Sequence, residues 1–181
     1  ALTWASLTAC QHLGWAPDIV HANDWPGGLL PLTLRAAFGW DRLFAHTRSV
    51  LTIHNIGHQG VFDARVLPET GLVSSSPLFH QDQLVAGRLS FMLHGILYAD
   101  AVTTVSPTYA REIRTPEHGV GLDAPLRGRG AAVVGLLNGI DSAEWDPAHD
   151  PHLAAGYSAD ALAGKATCKA SLQEASGLPV A

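Results

Sequence analysis

The chain has 181 residues, 47% of them hydrophobic and 15% charged, with a formal net charge of −5. This composition supports a folded core, and the absence of any lysine- or arginine-rich run gives no indication of a nucleic-acid partner. The two distant cysteines, Cys10 and Cys168, indicate a reducing cytoplasm rather than a disulfide framework, and no apolar run is long enough to cross a membrane.

Short apolar runs alternate with longer helical patterns along the chain. Ser106 and Pro107 are typical of a helix N-cap and first turn, and Gly177 of a helix end. Residues 57–82 form a long connection rich in Gly, Ser and Pro, which indicates a functional or mobile loop. The predicted strands are 17–24, 48–55, 100–106 and 131–138, and the predicted helices are 1–14, 27–38, 83–99, 107–113 and 158–176.

This alternation predicts an α/β fold, a Rossmann-like parallel sheet with helices on both faces. In such sheets, ligands bind outside the carboxyl ends of the strands. Polar residues follow each predicted strand, so the sequence predicts a polar cleft at one sheet edge. These residues are His21 to Asp24, His54 and Asn55, Ser106, and Asn138 to Asp141.

His54 ends the second strand, and His58 follows four residues later. On a helix this spacing would suit two metal ligands, but Gly57 and Gly60 argue against a helix here. A metal site that also used His21 and Asp24 is therefore a weaker alternative than an imidazole bonded to a ligand hydroxyl. A third alternative is a histidine satisfied by nearby backbone.

Asp24 precedes Trp25, and a carboxylate beside a large aromatic ring suits a sugar. The structural alternative is that Asp24 caps a helix beginning near Pro26. Asn138 and Gly139 favour a tight turn with positive φ. No dinucleotide fingerprint, P-loop or nucleophile elbow is present in the sequence.

Four blocks of the sequence resemble, in order, the bacterial glycogen synthases and plant starch synthases, which are ADP-glucose-dependent α-1,4-glucan synthases. The blocks are "PDIVHANDWPGGLLPLTLR", "SVLTIHNIGHQGVF", "LSFMLHGILYADAVTTVSPTYAREI" and the segment that begins "GLLNGIDSAEWDP". The resemblance covers nearly the whole chain.

The resemblance implies a GT-B glycosyltransferase, with residues 1–181 as the later part of its N-terminal domain. The start of that domain, with its Lys-x-Gly-Gly loop, and the C-terminal nucleotide-sugar domain would lie outside the chain. The implied reaction transfers glucose from ADP-glucose to the non-reducing end of an α-1,4-glucan with retention, without a cofactor. The isolated chain is expected to be inactive. Its open sheet edge makes a homo-oligomer an expectation.

The resemblance also implies roles for seven residues. His54 and Asp24 match the family's catalytic positions. One departure is Asn23, where the family often has histidine; a neutral amide takes no proton but still forms hydrogen bonds. The residues implied in substrate binding are Trp25, Asn55, Gln59, Asn138 and Asp141.

Two other hypotheses remain open from the sequence. The chain would also suit a stand-alone carbohydrate-binding module, in which glucan affinity depends on Trp25 and Asp24. It would equally suit part of another GT-B enzyme, such as a sucrose synthase relative. The donor-binding segments outside the chain would distinguish such an enzyme from an ADP-glucose-dependent glucan synthase.

Overall fold

A computed structural model describes residues 1–180 and divides the chain into two compact units, Ala1–Asn138 and Gly139–Ala181. The first unit contains six strands, seven α-helices and four short 3-10 helices. The strands are β1 Ile19–Asn23, β2 Arg48–Ile53, β3 Val61–Asp63, β4 Arg88–Ser90, β5 Ala101–Thr104 and β6 Val133–Gly135. The α-helices are α1 Leu2–Leu13, α2 Asp24–Gly27, α3 Leu30–Ala37, α4 Gln81–Val85, α5 Phe91–Tyr98, α6 Pro107–Glu112 and α7 Asp123–Gly128.

The main sheet has the order β1-β2-β5-β6, and all its pairs are parallel. The predicted parallel α/β sheet with flanking helices is therefore confirmed. Its four strands are the four predicted from the sequence, although each is shorter than its predicted range. The predicted helix start at Pro107 is also confirmed, since Ser106 Oγ accepts a hydrogen bond from the Tyr109 N–H at 2.9 Å.

Burial alternates along the strands, so the two faces of the sheet differ. Ala22, Leu51 and Val102 are buried in a cluster with Met92 and Ile96 of α5. Burying a valine, leucine, isoleucine or methionine side chain in this cluster stabilises the fold by about 1.5–3 kcal/mol. The opposite face carries alternating residues that stay accessible in the first unit, among them Ile19, His21, Asn23, Thr52 and Thr103. Among residues 1–138, helices therefore flank the sheet on the Leu51 side.

The prediction of one helix over residues 83–99 is wrong. Gly87 has a φ of +72° and ends the turn after α4, and Arg88–Ser90 then pair antiparallel with Val61–Asp63. The helix resumes at Phe91, where Ser90 Oγ accepts a hydrogen bond from the Leu93 N–H. Apolar residues recur across the break, but only α5 buries a continuous apolar face, whereas α4 has no buried residue and contributes the partly buried Leu84. The predicted long connection therefore contains a strand.

The buried His94 connects α5 to the segment before α4. Its Nδ1 lies 2.6 Å from Ser90 O, and its Nε2 accepts a hydrogen bond from the His80 N–H at 3.0 Å. Both ring nitrogens are satisfied only in the neutral tautomer with the proton on Nδ1. Burial lowers the pKa of His94, and the hydrogen bond to Ser90 opposes that effect. A neutral imidazole therefore supports this part of the fold.

Within residues 139–180, the second unit contains one helix, α8 Ala163–Ala175. The predicted helix over residues 158–176 begins five residues too early, because Ser158 forms an isolated bridge with Ala161. Gly177 has a φ of +65° directly after the helix end, as the sequence predicts.

Candidate functional site

Four consecutive backbone N–H groups after β2 are satisfied by side-chain oxygens. Asp24 Oδ1 accepts from the N–H of His54 at 2.8 Å and from that of Asn55 at 3.4 Å. The Ile56 N–H donates to Tyr109 Oη at 2.9 Å, and the Gly57 N–H donates to Asn55 Oδ1 at 2.9 Å. This arrangement fixes the chain at the carboxyl end of β2 without helix or sheet bonds.

Of the two alternatives for Asp24, the helix-capping role is wrong. The residue before α2 is Asn23, which makes no side-chain cap, and Asp24 itself has a φ of +50°. Such a backbone costs a non-glycine residue about 1–2 kcal/mol, so the surrounding contacts must hold it. Its carboxylate instead crosses to β2, and Oδ2 forms no hydrogen bond within residues 1–180. One carboxylate oxygen of Asp24 is therefore left without a hydrogen bond among the described residues.

His54 is exposed, and its ring Nε2 lies 3.0 Å from Asn23 Oδ1. Because an amide oxygen only accepts, Nε2 carries the proton in this arrangement. The lone pair of Nδ1 then remains available, since this atom makes no hydrogen bond in the described part of the chain. The prediction that Asn23 keeps a hydrogen-bonding role agrees with this contact.

Trp25 lies half-buried beside the loop after β2. A Cβ on Gly60 would lie 2.5 Å from Trp25 Cε3, so only glycine fits against this ring. Phe62 packs edge-on to Trp25 at 5.6 Å between ring centroids. Gln59 fixes the loop from the other side, because its Nε2 donates to Val120 O at 2.8 Å. Trp25 and Gln59 therefore both hold the loop that follows β2 in place.

Two hollows flank the strand ends. The sheet-face hollow measures about 440 Å³ and brings Asn138 together with Asn23 and His54. The loop hollow measures about 550 Å³ and is lined by Trp25, residues 57–62 and Val120. Within residues 1–180, no lysine or arginine lines either hollow. Both are therefore better suited to neutral polar ligands than to phosphate.

Asp141 lies in the second unit. Its Oδ1 accepts hydrogen bonds from the N–H groups of Ala143 and Glu144 at 3.0 and 3.2 Å, so it caps a turn there. The predicted positive-φ turn at Asn138 and Gly139 is wrong, because neither residue has a positive φ.

The histidines of the metal hypothesis do not converge. His21 Nε2 lies 2.6 Å from Thr52 Oγ1, which lies 2.7 Å from Thr103 Oγ1, so this ring belongs to a polar chain across three strands. His58 lines the loop hollow instead. Among residues 1–180, no group of three or more His, Cys, Asp or Glu side chains is placed to hold a metal ion.

Sequence reasoning missed Tyr109, whose hydroxyl holds the backbone of Ile56. A signal was present, because Tyr109 is in the first turn of a helix that starts directly after β5. Residues in that turn lie at the same sheet edge as His54. Val120 was also missed, and no local pattern marks it, since its contact with Gln59 spans 61 residues.

These features define a parallel α/β domain with a candidate ligand site at the carboxyl ends of its strands, where the Asp24 carboxylate lies among neutral hydrogen-bonding groups and aromatic rings. The family model described as the starch synthase catalytic domain matches residues 1–128. The chain belongs to the starch synthase catalytic domain family.

Curated relatives and a solved structure agree with this assignment. The glycogen synthase of Anaeromyxobacter sp. (strain Fw109-5) is 51% identical over 179 residues, which cover 98% of this chain and 37% of that protein. The glycogen synthase of Myxococcus xanthus (strain DK1622) is 45% identical over 177 residues, with the same two coverages. The catalytic domain of starch synthase IV from Arabidopsis thaliana, solved with ADP and acarbose, has a TM-score of 0.79.

That structure is 35% identical and covers 99% of this chain, which spans 37% of its length. The chain thus spans little more than a third of these relatives. The predicted family and the predicted fold class, a Rossmann-like sheet of the GT-B glycosyltransferase type, are confirmed. Among residues 1–180, no helix is both long and apolar enough to span a membrane.

Proposed function

We propose that this chain is the sugar-binding part of a glucan synthase that transfers glucose from ADP-glucose to the non-reducing end of an α-1,4-glucan. The observation that carries the proposal is the cluster of Asp24, His54 and Asn23 at the strand ends of a starch synthase family chain. In this proposal residues 1–181 form the later part of the N-terminal domain. The start of that domain and the C-terminal nucleotide-sugar domain lie outside them.

The proposed roles follow from which atoms are free. Nδ1 of His54 accepts a hydrogen bond from a hydroxyl of the transferred glucose, and the backbone carbonyl beside it stabilises positive charge at the anomeric carbon. Oδ2 of Asp24 orients the acceptor or donor sugar. Asn55, Asn138 and Asp141 are proposed to bind substrate through their polar side chains.

The leaving diphosphate needs positive charge, and the residues that line the two hollows supply none. We therefore assign its stabilisation to basic residues outside this chain. The reaction retains the configuration at the anomeric carbon and uses no cofactor. The isolated chain is accordingly proposed to be inactive.

The two nearby histidines provide the test. We would replace the matching segment of the Anaeromyxobacter glycogen synthase with this chain, and assay ADP release with ADP-glucose and glycogen. His54→Ala is expected to lower kcat by about 100-fold, because it removes a group at the reacting sugar. His58→Ala is the matched control and is expected to change kcat less than threefold.

Equal losses for the two histidine variants would contradict the proposed role of His54. The isolated chain, assayed in parallel, is expected to release no ADP. If it bound glycogen but the chimera never turned over, a carbohydrate-binding module would explain the chain better. Turnover with UDP-glucose but not ADP-glucose would favour another GT-B enzyme.

A homo-oligomer and a bacterial cytoplasmic location complete the proposal. β1 is an edge strand of the main sheet, which leaves one side of its backbone open to pairing with a second chain. Sedimentation equilibrium of the isolated chain is expected to show a dimer, and a monomer at all concentrations would contradict the proposed homo-oligomer.

The bacterial relatives and the two free thiols support the proposed cytoplasmic location.

A further inference from the structure

A tyrosine from α6 holds the backbone of the loop that follows β2. The Ile56 N–H donates to Tyr109 Oη at 2.9 Å and makes no other hydrogen bond among residues 1–180. Ile56 is only 3% exposed, and a buried N–H that loses its acceptor is costly. Asn55 and His54 lie one and two residues before Ile56. The tyrosine hydroxyl therefore controls the backbone directly behind the proposed sugar-binding groups.

Tyr109 is itself fixed by its surroundings. In the first turn of α6, Ser106 Oγ accepts from the Tyr109 N–H at 2.9 Å, and Ser106 O accepts from the Ala110 N–H at 2.9 Å. The ring is half-buried and packs against the core cluster of the sheet. β6 backs this turn closely, because a Cβ on Gly135 would lie 2.1 Å from Ser106 O. The hydroxyl is thus carried by rigid elements, as a group that positions a site must be.

The loop is bonded from both strands that flank β2. Asp24 follows β1 and accepts from the N–H groups of His54 and Asn55, and Tyr109 follows β5 and accepts from the next N–H along the chain. β1 and β5 are the two neighbours of β2 in the sheet. Because these bonds reach the loop from opposite sides, the tyrosine restrains movement that the carboxylate alone would permit. A shift of about 1 Å in a reacting group can cost about 100-fold in rate.

We propose that Tyr109 is a positioning residue for glucosyl transfer, whose hydroxyl holds the Ile56 N–H and so fixes the direction in which His54 presents Nδ1. This inference rests on the proposed glucan synthase function. Tyr109 lines neither the sheet-face hollow nor the loop hollow, so it acts through His54 and does not touch the sugar. The hydroxyl oxygen serves as an acceptor, and phenylalanine removes that oxygen while keeping the ring.

The kinetic test uses the chimeric synthase described above. Tyr109→Phe is expected to lower kcat by about tenfold and to change the KM for glycogen by less than about twofold, because the loss falls on the reacting geometry. Tyr98→Phe is the matched control. Its hydroxyl also bonds backbone, at Leu78 O, but it lies at the end of α5 that precedes β5. This control should leave kcat unchanged.

A double-mutant cycle separates positioning of His54 from general support of the fold. In the His54→Ala background, Tyr109→Phe is expected to lower kcat by less than about twofold, because the group that it positions is already gone. A further tenfold loss in that background would show that Tyr109 acts independently of His54. That result would overturn the inference.

A second measurement does not depend on catalysis. In the isotope-labelled 181-residue chain, Tyr109→Phe is expected to shift the imidazole NMR signals of His54, whereas Tyr98→Phe should leave them in place. Unshifted His54 signals overturn the inference even if kcat falls, and so does an unchanged kcat in an active chimera. A parent chimera without turnover would refute the proposed function instead. The His54 signals would then still decide whether Tyr109 positions this ring.

Discussion

Replacing Asp24 with alanine is expected to lower kcat of the chimeric synthase by at least about 100-fold, since small displacements of reacting groups cost this much. The change removes the carboxylate that fixes His54 and Asn55 and also removes the free Oδ2. It further leaves alanine at a φ of +50°, which alanine adopts poorly. ADP release under saturating substrate measures the effect.

Asp24→Asn separates positioning from charge. An asparagine tolerates positive φ, and its oxygen still accepts from the His54 N–H, so the melting temperature should stay close to that of the parent chimera. Its kcat should nevertheless fall, because the second oxygen becomes an amide nitrogen. Asp18→Ala, at an exposed aspartate outside both hollows, is the control and should leave kcat unchanged. A fully active Asp24→Ala enzyme would rule out the role given to this carboxylate.

Gly60→Ala is expected to destabilise the chain by about 2–4 kcal/mol, combining positive φ with overpacking. Gly60 has a φ of +57°, and the new methyl group would meet the Trp25 ring at 2.5 Å. The ring cannot withdraw freely because Phe62 and Phe91 pack around it. Urea unfolding followed by far-ultraviolet circular dichroism measures the free energy of unfolding.

Gly87→Ala is the matched control for Gly60→Ala. Gly87 also has a positive φ, but among residues 1–180 no neighbouring atom lies within 4 Å of the position that an added methyl group would take. Gly87→Ala should therefore lower the free energy of unfolding only by the cost of the positive φ, about 1–2 kcal/mol. Equal losses for the two variants would show that the Trp25 ring moves aside at no cost. In that case the wall of the loop hollow would be less rigid than the packing of Phe62 and Phe91 implies.

The strands and their polar ends could be predicted from the sequence because both signals are local. An apolar run of a few residues followed by His54 and Asn55 is visible without knowledge of the fold. The parallel arrangement then brings Asn23 and His54 to one edge, and the structure places them 3.0 Å apart. Local patterns also predict the cap at Ser106.

The features that escaped prediction depend on contacts between distant residues. Local rules favour Asp24 as a helix cap, yet the backbone of His54, 30 residues away, takes its carboxylate. The antiparallel pair of β3 and β4 has three residues in each strand, too few to show a period. Tyr109 and Val120 act through bonds that span 53 and 61 residues. No window of sequence contains both partners.

The alternating burial of β1 fixes the register in which this strand pairs with β2. That register in turn positions the residues of the site. Ala22 faces the core and pairs with Leu51, while Asn23 faces outward and pairs with Thr52. A slip of one residue would turn Asn23 into the apolar core and expose Ala22. It would also move Asp24 away from the His54 N–H. Chains that misalign this strand therefore lose core packing together with the site, so a stably folded molecule is also a correctly assembled one.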